Sequence, residues 1–147
     1  MPVEEEVLEW VERVASFCAD EWGLAPITGR IFGWLLICDP PEQSAADIAA
    51  AIGASRASLT SNMRLLLAIH LVRKVSRPGE RTTYYRIEDD AWTKVVRGKL
   101  IGLAAFGSIA EDGARLAGGD PERTQRLRTA RESSAWLAKL AEDLGAR

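Results

Sequence analysis

The side chains best placed to do chemistry lie between Ser55 and Arg81. On a helix that starts at Ser55, the 100° step per residue turns Ala57, Thr60, Ser61 and Arg64 away from the apolar Leu59 and Leu66, with Arg56 on the flank. No acid stands between residues 55 and 70. A face that is merely solvated carries Glu and Lys in balance. Short neutral side chains punctuated by arginine suit a groove lined by phosphates, where acids would repel and bulky groups would block approach. Arg73 and Lys74 follow on a β-prone run, and Arg77-Pro78-Gly79-Glu80-Arg81 sets two arginines on a tight turn. A projecting arginine can enter a narrow minor groove, where the negative potential is strongest. Hairpin tips are often charged for solubility alone, so the turn gains weight only from the helix before it.

Charge is distributed unevenly along the chain. The 147 residues carry a net charge of −2, which argues against binding nucleic acid through the whole surface. Residues 1–22 hold seven acids and one base. Residues 53–86 hold seven bases (Arg56, Arg64, Arg73, Lys74, Arg77, Arg81 and Arg86) against Glu80 alone. A basic block inside an acidic protein is the electrostatic footprint expected for phosphate.

Other chemistry finds little support. No nucleophile motif, phosphate-binding glycine loop or zinc spacing occurs, so an enzyme is not expected, and no cofactor or metal site is read. His70 is the single histidine. Cys18 and Cys38 sit in apolar surroundings and read as buried free thiols. No long apolar run predicts a membrane span, and the acidic start at Glu4-Glu5-Glu6 is the reverse of a signal peptide. A cytoplasmic location and no membrane partner are expected.

The elements that must position these residues are mainly helical, and the length suits a single domain over 1–147. Val3, Val7, Trp10, Val11, Val14, Phe17, Cys18 and Trp22 recur at helical spacing up to Gly23. A second, almost wholly apolar helix opens at Pro26 and stops before Asp39-Pro40-Pro41. Ser44 to Asp47 reads as a capping box for a short helix through Ile52, Gly53-Ala54 turns the chain, and Ser55 caps a helix to about Ile69. Leu71–Ser76 and Arg81–Ile87 flank Pro78-Gly79 as a hairpin. Asp89 or Asp90 then opens one long helix that Gly118-Gly119 breaks, and Asp120-Pro121 starts the last. Two short helices on a glycine turn, followed by a hairpin, predict a winged helix-turn-helix with flanking helices.

Gly29-Arg30-Ile31-Phe32-Gly33-Trp34-Leu35-Leu36, Asp39-Pro40-Pro41, Ala49 to Arg64, Leu71-Val72-Arg73-Lys74 and Pro78-Gly79-Glu80-Arg81-Thr82-Thr83-Tyr84-Tyr85 together resemble the MarR superfamily of regulators. The similarity is densest over residues 23–88. The glycine-spaced second helix and its Asp-Pro-Pro end are most similar to the GbsR-type branch. The resemblance implies a homodimer held by the helices of 1–22 and 89–147, with 23–88 as the core that binds double-stranded DNA. It implies a fourth helix in the major groove, a wing at the minor groove, and ligands or oxidants that tune affinity. It assigns DNA contact to Ser55, Arg56, Thr60, Ser61, Arg64 and the wing-tip Arg81. His70 stands where the family has a helix-ending glycine, so it must take a left-handed conformation. Asn62 replaces a small or apolar residue, and its amide must find a partner.

Three features read as structural, and one other function competes. The spacings Gly29–Gly33 and Gly98–Gly102 predict close helix packing. The arginines at 123, 126, 128 and 131 spread around their helix as a solvated face. Five tryptophans read as core or interface rather than as a cage for a quaternary ammonium ligand. A winged-helix module for protein partners, without sequence-specific DNA binding, is the alternative that the basic fourth helix disfavours.

Overall fold

The computed structural model describes residues 3–146. The backbone gathers into two compact units, the first ending at Ala91 and the second beginning at Trp92. The fold is mainly helical with one small antiparallel sheet, as the sequence predicts. Among the described residues, no helix is long and apolar enough to cross a membrane.

The first unit opens with α1 (Glu4–Trp22), ended by Gly23 in the left-handed region at φ 65°. Next come α2 (Pro26–Ile37), β1 (Gln43–Ser44), α3 (Ala45–Ile52), α4 (Arg56–Ala68), β2 (Val72–Ser76) and β3 (Thr83–Ile87). Pro26 occupies the first turn of α2, where its missing N–H costs no hydrogen bond. The pair α1 and α2 packs closely because two glycines allow it. A Cβ on Gly29 would lie 2.8 Å from the Ala15 Cα, and one on Gly33 would lie 3.0 Å from the Val14 Cβ. Val11, Ala15 and Cys18 of α1 are buried along with Ile31, Phe32 and Leu35 of α2.

The sheet has the order β1-β3-β2, with Val75 opposite Tyr84 and Ser44 on the other side of Tyr84. The strand β1 departs from the expected two-stranded hairpin. It is only two residues long, too short to carry the alternation that marks a strand in sequence.

The second unit contains α5 (Ala91–Ala104, of which Ala91 closes the first unit), α6 (Phe106–Leu116) and α7 (Pro121–Gly145). The single long helix expected here is interrupted at Ala105. That residue keeps right-handed dihedrals, φ −60° and ψ −24°, so the interruption needs neither Gly nor Pro and leaves no sequence signal. As expected, Asp120 caps α7, its carboxylate accepting from the Glu122 N–H at 3.0 Å, with Pro121 behind it. A Cβ on Gly107 would fall 2.6 Å from the Ser134 Cβ, which is how closely α6 meets α7. By contrast, a Cβ on Gly98 or Gly102 would meet nothing within 4 Å, so the expected close packing at that second spacing is absent among the described residues.

Candidate nucleic-acid interface

Local capping sets where α3 and α4 begin. The Ser44 hydroxyl accepts from the Asp47 N–H at 3.0 Å, and the Asp47 carboxylate accepts from the Ser44 N–H at 3.0 Å. This reciprocal box satisfies two donors that a helix start leaves open. Gly53, at φ 68°, turns the chain in the left-handed region. Ser55 then caps α4, accepting from the Ser58 N–H at 3.1 Å. Ile48 and Ala49 of α3 are buried, as are Leu59, Met63 and Leu66 of α4. With that stripe turned inward, Ser55, Arg56, Ala57, Thr60, Ser61 and Arg64 are all exposed.

Two residues singled out in the sequence behave as their positions require. His70 follows α4 in the left-handed region at φ 60°. The amide of Asn62 is fully used. Its Oδ1 accepts from the buried Thr28 hydroxyl of α2 at 2.9 Å, and its Nδ2 donates to the Ser58 carbonyl at 2.7 Å. A polar tie between α2 and the middle of α4 fixes how α4 is rotated, because leaving the buried Thr28 hydroxyl unpaired would cost about 1–3 kcal/mol. Thr28 is the partner that sequence reasoning missed. It stands in an apolar helix and carries no signal of its own.

The wing is a turn from Arg77 to Glu80, closed by the Glu80 N–H donating to the Arg77 carbonyl at 3.1 Å. Pro78 and Gly79, the latter at φ 79°, fill the central positions of a type II turn. Arg73 lies 3.6 Å from the Glu88 carboxylate across the sheet, and Lys74 is exposed beside it. Arg81 is exposed at the far end of the turn.

Arg77 departs from the expected projecting pose. Its guanidinium folds back, donating through Nε and Nη2 to one Glu42 carboxylate oxygen at 3.3 and 3.2 Å. It also lies 3.7 Å from the centroid of the Tyr84 ring. The Glu42 hydrogen bond raises the pKa of Arg77. Hydrogen bonding to Glu80 likewise raises the phenol of Tyr84 above its ordinary value. Glu42 stands 35 residues before Arg77, and sequence spacing alone does not connect them.

Among the described residues, Arg56, Arg64, Lys74 and Arg81 therefore present cationic heads with no acidic partner, whereas Arg73 and Arg77 have one. The thiols offer no competing chemistry. Burial pushes both Cys18 and Cys38 above the ordinary thiol pKa, away from the reactive thiolate. Trp34 donates its indole N–H to Gln43 at 3.2 Å, and Phe17 meets Trp22 edge to face at 5.3 Å.

A helix-turn-helix followed at once by a hairpin, with bases on both, defines a winged helix-turn-helix protein. Residues 90–147 match the family model described as MmpR5-like MarR family transcriptional regulator. That match falls outside the 23–88 stretch where the resemblance is densest. The chain is 31% identical over 144 residues to HTH-type transcriptional regulator MmpR5 of Mycobacterium tuberculosis (strain ATCC 25618 / H37Rv), covering 97% of this chain and 87% of that protein. A crystal structure described as that of a transcriptional regulator superposes with a TM-score of 0.75 at 31% identity, covering 96% of this chain and 97% of the other. The chain belongs to the MarR family of transcriptional regulators, so it is a DNA-binding regulator and not an enzyme.

Proposed function

We propose that this regulator acts in the cytoplasm as a homodimer on a pseudo-palindromic operator, as a repressor whose affinity a small molecule tunes. In this reading α4 enters the major groove. Ser55, Arg56, Ala57, Thr60, Ser61 and Arg64 face the DNA, while Arg73, Lys74 and Arg81 make up the basic face of the wing at the backbone and minor groove. The carrying observation is the outer face of α4, exposed and free of acids, with two unanswered arginines among short side chains. Repression and ligand tuning rest on family membership. Within the family, the glycine-spaced α2 and the Asp39-Pro40-Pro41 end support a GbsR-type likeness, whereas the matched model is MmpR5-like.

Selection of binding sites from random duplex DNA tests the reading. Two symmetric recognition helices should select inverted half-sites about one helical turn, roughly 10 base pairs, apart. Affinity for the selected duplex should fall steeply with salt as counterions are released from the contacted phosphates. Recovery of no symmetric motif, or affinity indifferent to salt, would overturn it.

A further inference from the structure

We propose that Arg77 is a positioning residue that latches the wing to the segment before β1, rather than a contact to phosphate. The proposal rests on the reading of the wing as part of the DNA interface. Three observations carry it. Arg77 makes two hydrogen bonds to Glu42, on a segment 35 residues away that leads directly into β1. Its guanidinium is stacked on Tyr84, the β3 residue that pairs with Ser44 of β1 and Val75 of β2. Arg77 and Glu80 are also the two ends of the turn, joined through their backbone.

Charge points the same way. Two carboxylates, Glu42 and Glu80, belong to this cluster against one guanidinium. If Arg77 swung out to a phosphate, it would leave both acids unscreened on the side where DNA approaches. Held in place, Arg77 masks Glu42 and keeps the turn at a fixed angle, so that Arg81 is delivered to the groove. The planar fork of arginine suits this double task of pairing and stacking, and the ammonium of lysine does not.

The test turns on opposite signs. Glu42→Gln removes an acid near the DNA, so electrostatics alone predicts tighter binding; a latch predicts binding about three- to fivefold weaker, the scale of one partly exposed ion pair. Arg77→Lys keeps the charge, so a phosphate contact predicts wild-type affinity, whereas a latch predicts a loss similar to that of Glu42→Gln. Combining the two substitutions should cost little more than either alone. Each variant is measured on a duplex selected with the wild-type protein, across a salt series. The slope against salt should stay at the wild-type value, because no phosphate contact is lost. Tighter binding by Glu42→Gln together with wild-type affinity for Arg77→Lys would overturn the latch. Arg81→Ala separates this from failure of the wing reading itself. If Arg81→Ala changes neither affinity nor slope, the wing does not touch DNA. Hydrogen exchange of the Glu80 amide without DNA then decides the latch. It should quicken in Glu42→Gln, and an unchanged rate would overturn the proposal.

Discussion

Arg64 and Arg56 have no acid to answer them among the described residues, and the α4 residues near them are short. Thr60 spends its hydroxyl proton on the Arg56 carbonyl, at 2.9 Å, which leaves its oxygen as an acceptor and its methyl free. Such a group can accept from an exocyclic amine or touch a thymine methyl, but only where α4 sits deep in the groove. Arg64 lies one turn further on and has the reach for a guanine edge. If it reads one, Arg64→Ala should cost about 1–3 kcal/mol on the selected operator and relax preference at one position per half-site. Selecting sites from random DNA with both proteins checks this, since identical motifs would leave Arg64 with a phosphate role only. Arg81, by the same reasoning, meets the backbone or the narrow groove. Arg81→Ala should weaken binding to every sequence and reduce the salt slope by about one unit per wing, hence about two for the dimer, measured by titration at several salt concentrations.

At the scale of elements, legibility follows the range of the interaction. Helix starts and stops were readable because each depends on neighbours within four residues. The Ser44–Asp47 box, the Ser55 cap, the left-handed Gly23 and Gly53, and Asp120-Pro121 all stand where the sequence places them. The left-handed His70 was readable from the family resemblance, which puts a helix-ending glycine at that position. Features that depend on distant partners were not. The strand β1 exists only because β3 lies beside it, and the pose of Arg77 is decided by Glu42. The interruption at Ala105 escaped because it stays in ordinary helical dihedrals. The candidate site was legible as a set of residues on one helix face and one turn, but which of its cations are already paired was not.

Packing between α1 and α2 offers a sharp test at this scale. Arg30 of α2 pairs with Glu12 of α1, but exposed pairs contribute little, and the separation is set by the glycines. The atom nearest to a Cβ on Gly29 is backbone, the Ala15 Cα, which cannot swing aside as a side chain would. Gly29→Ala should therefore destabilise the protein by about 1–3 kcal/mol through overpacking, despite the better helix propensity of alanine. Urea denaturation followed by circular dichroism measures this. An unchanged midpoint would mean that α1 moves away without cost.

For the whole molecule, the two units differ in what a single chain can bury. The first has a core that includes Ile31, Ile48, Leu59, Met63 and Leu66. Among its described residues the second buries only Ala110, Ser134 and Ala141, far too little for a unit of its size to hold together alone. Meanwhile Leu103 and Ile109 are 62% exposed, Trp136 63% and Leu116 79%. Covering each such side chain contributes about 1.5–3 kcal/mol. Four of them in each of two copies offset the roughly 4–15 kcal/mol that association costs in lost freedom. The proposed homodimer would cover this surface, and its two-fold axis would set two α4 helices against the two half-sites of the proposed operator. Sedimentation at micromolar concentration should give about twice the 16.1 kDa chain mass. Ile109→Asp should shift that equilibrium toward the single chain by placing a charge where apolar surface must be covered. The same variant should keep the salt-dependent, sequence-independent binding of one winged unit while losing preference for paired over single half-sites. A wild-type protein that sediments as a single chain would remove the geometric basis for a palindromic site.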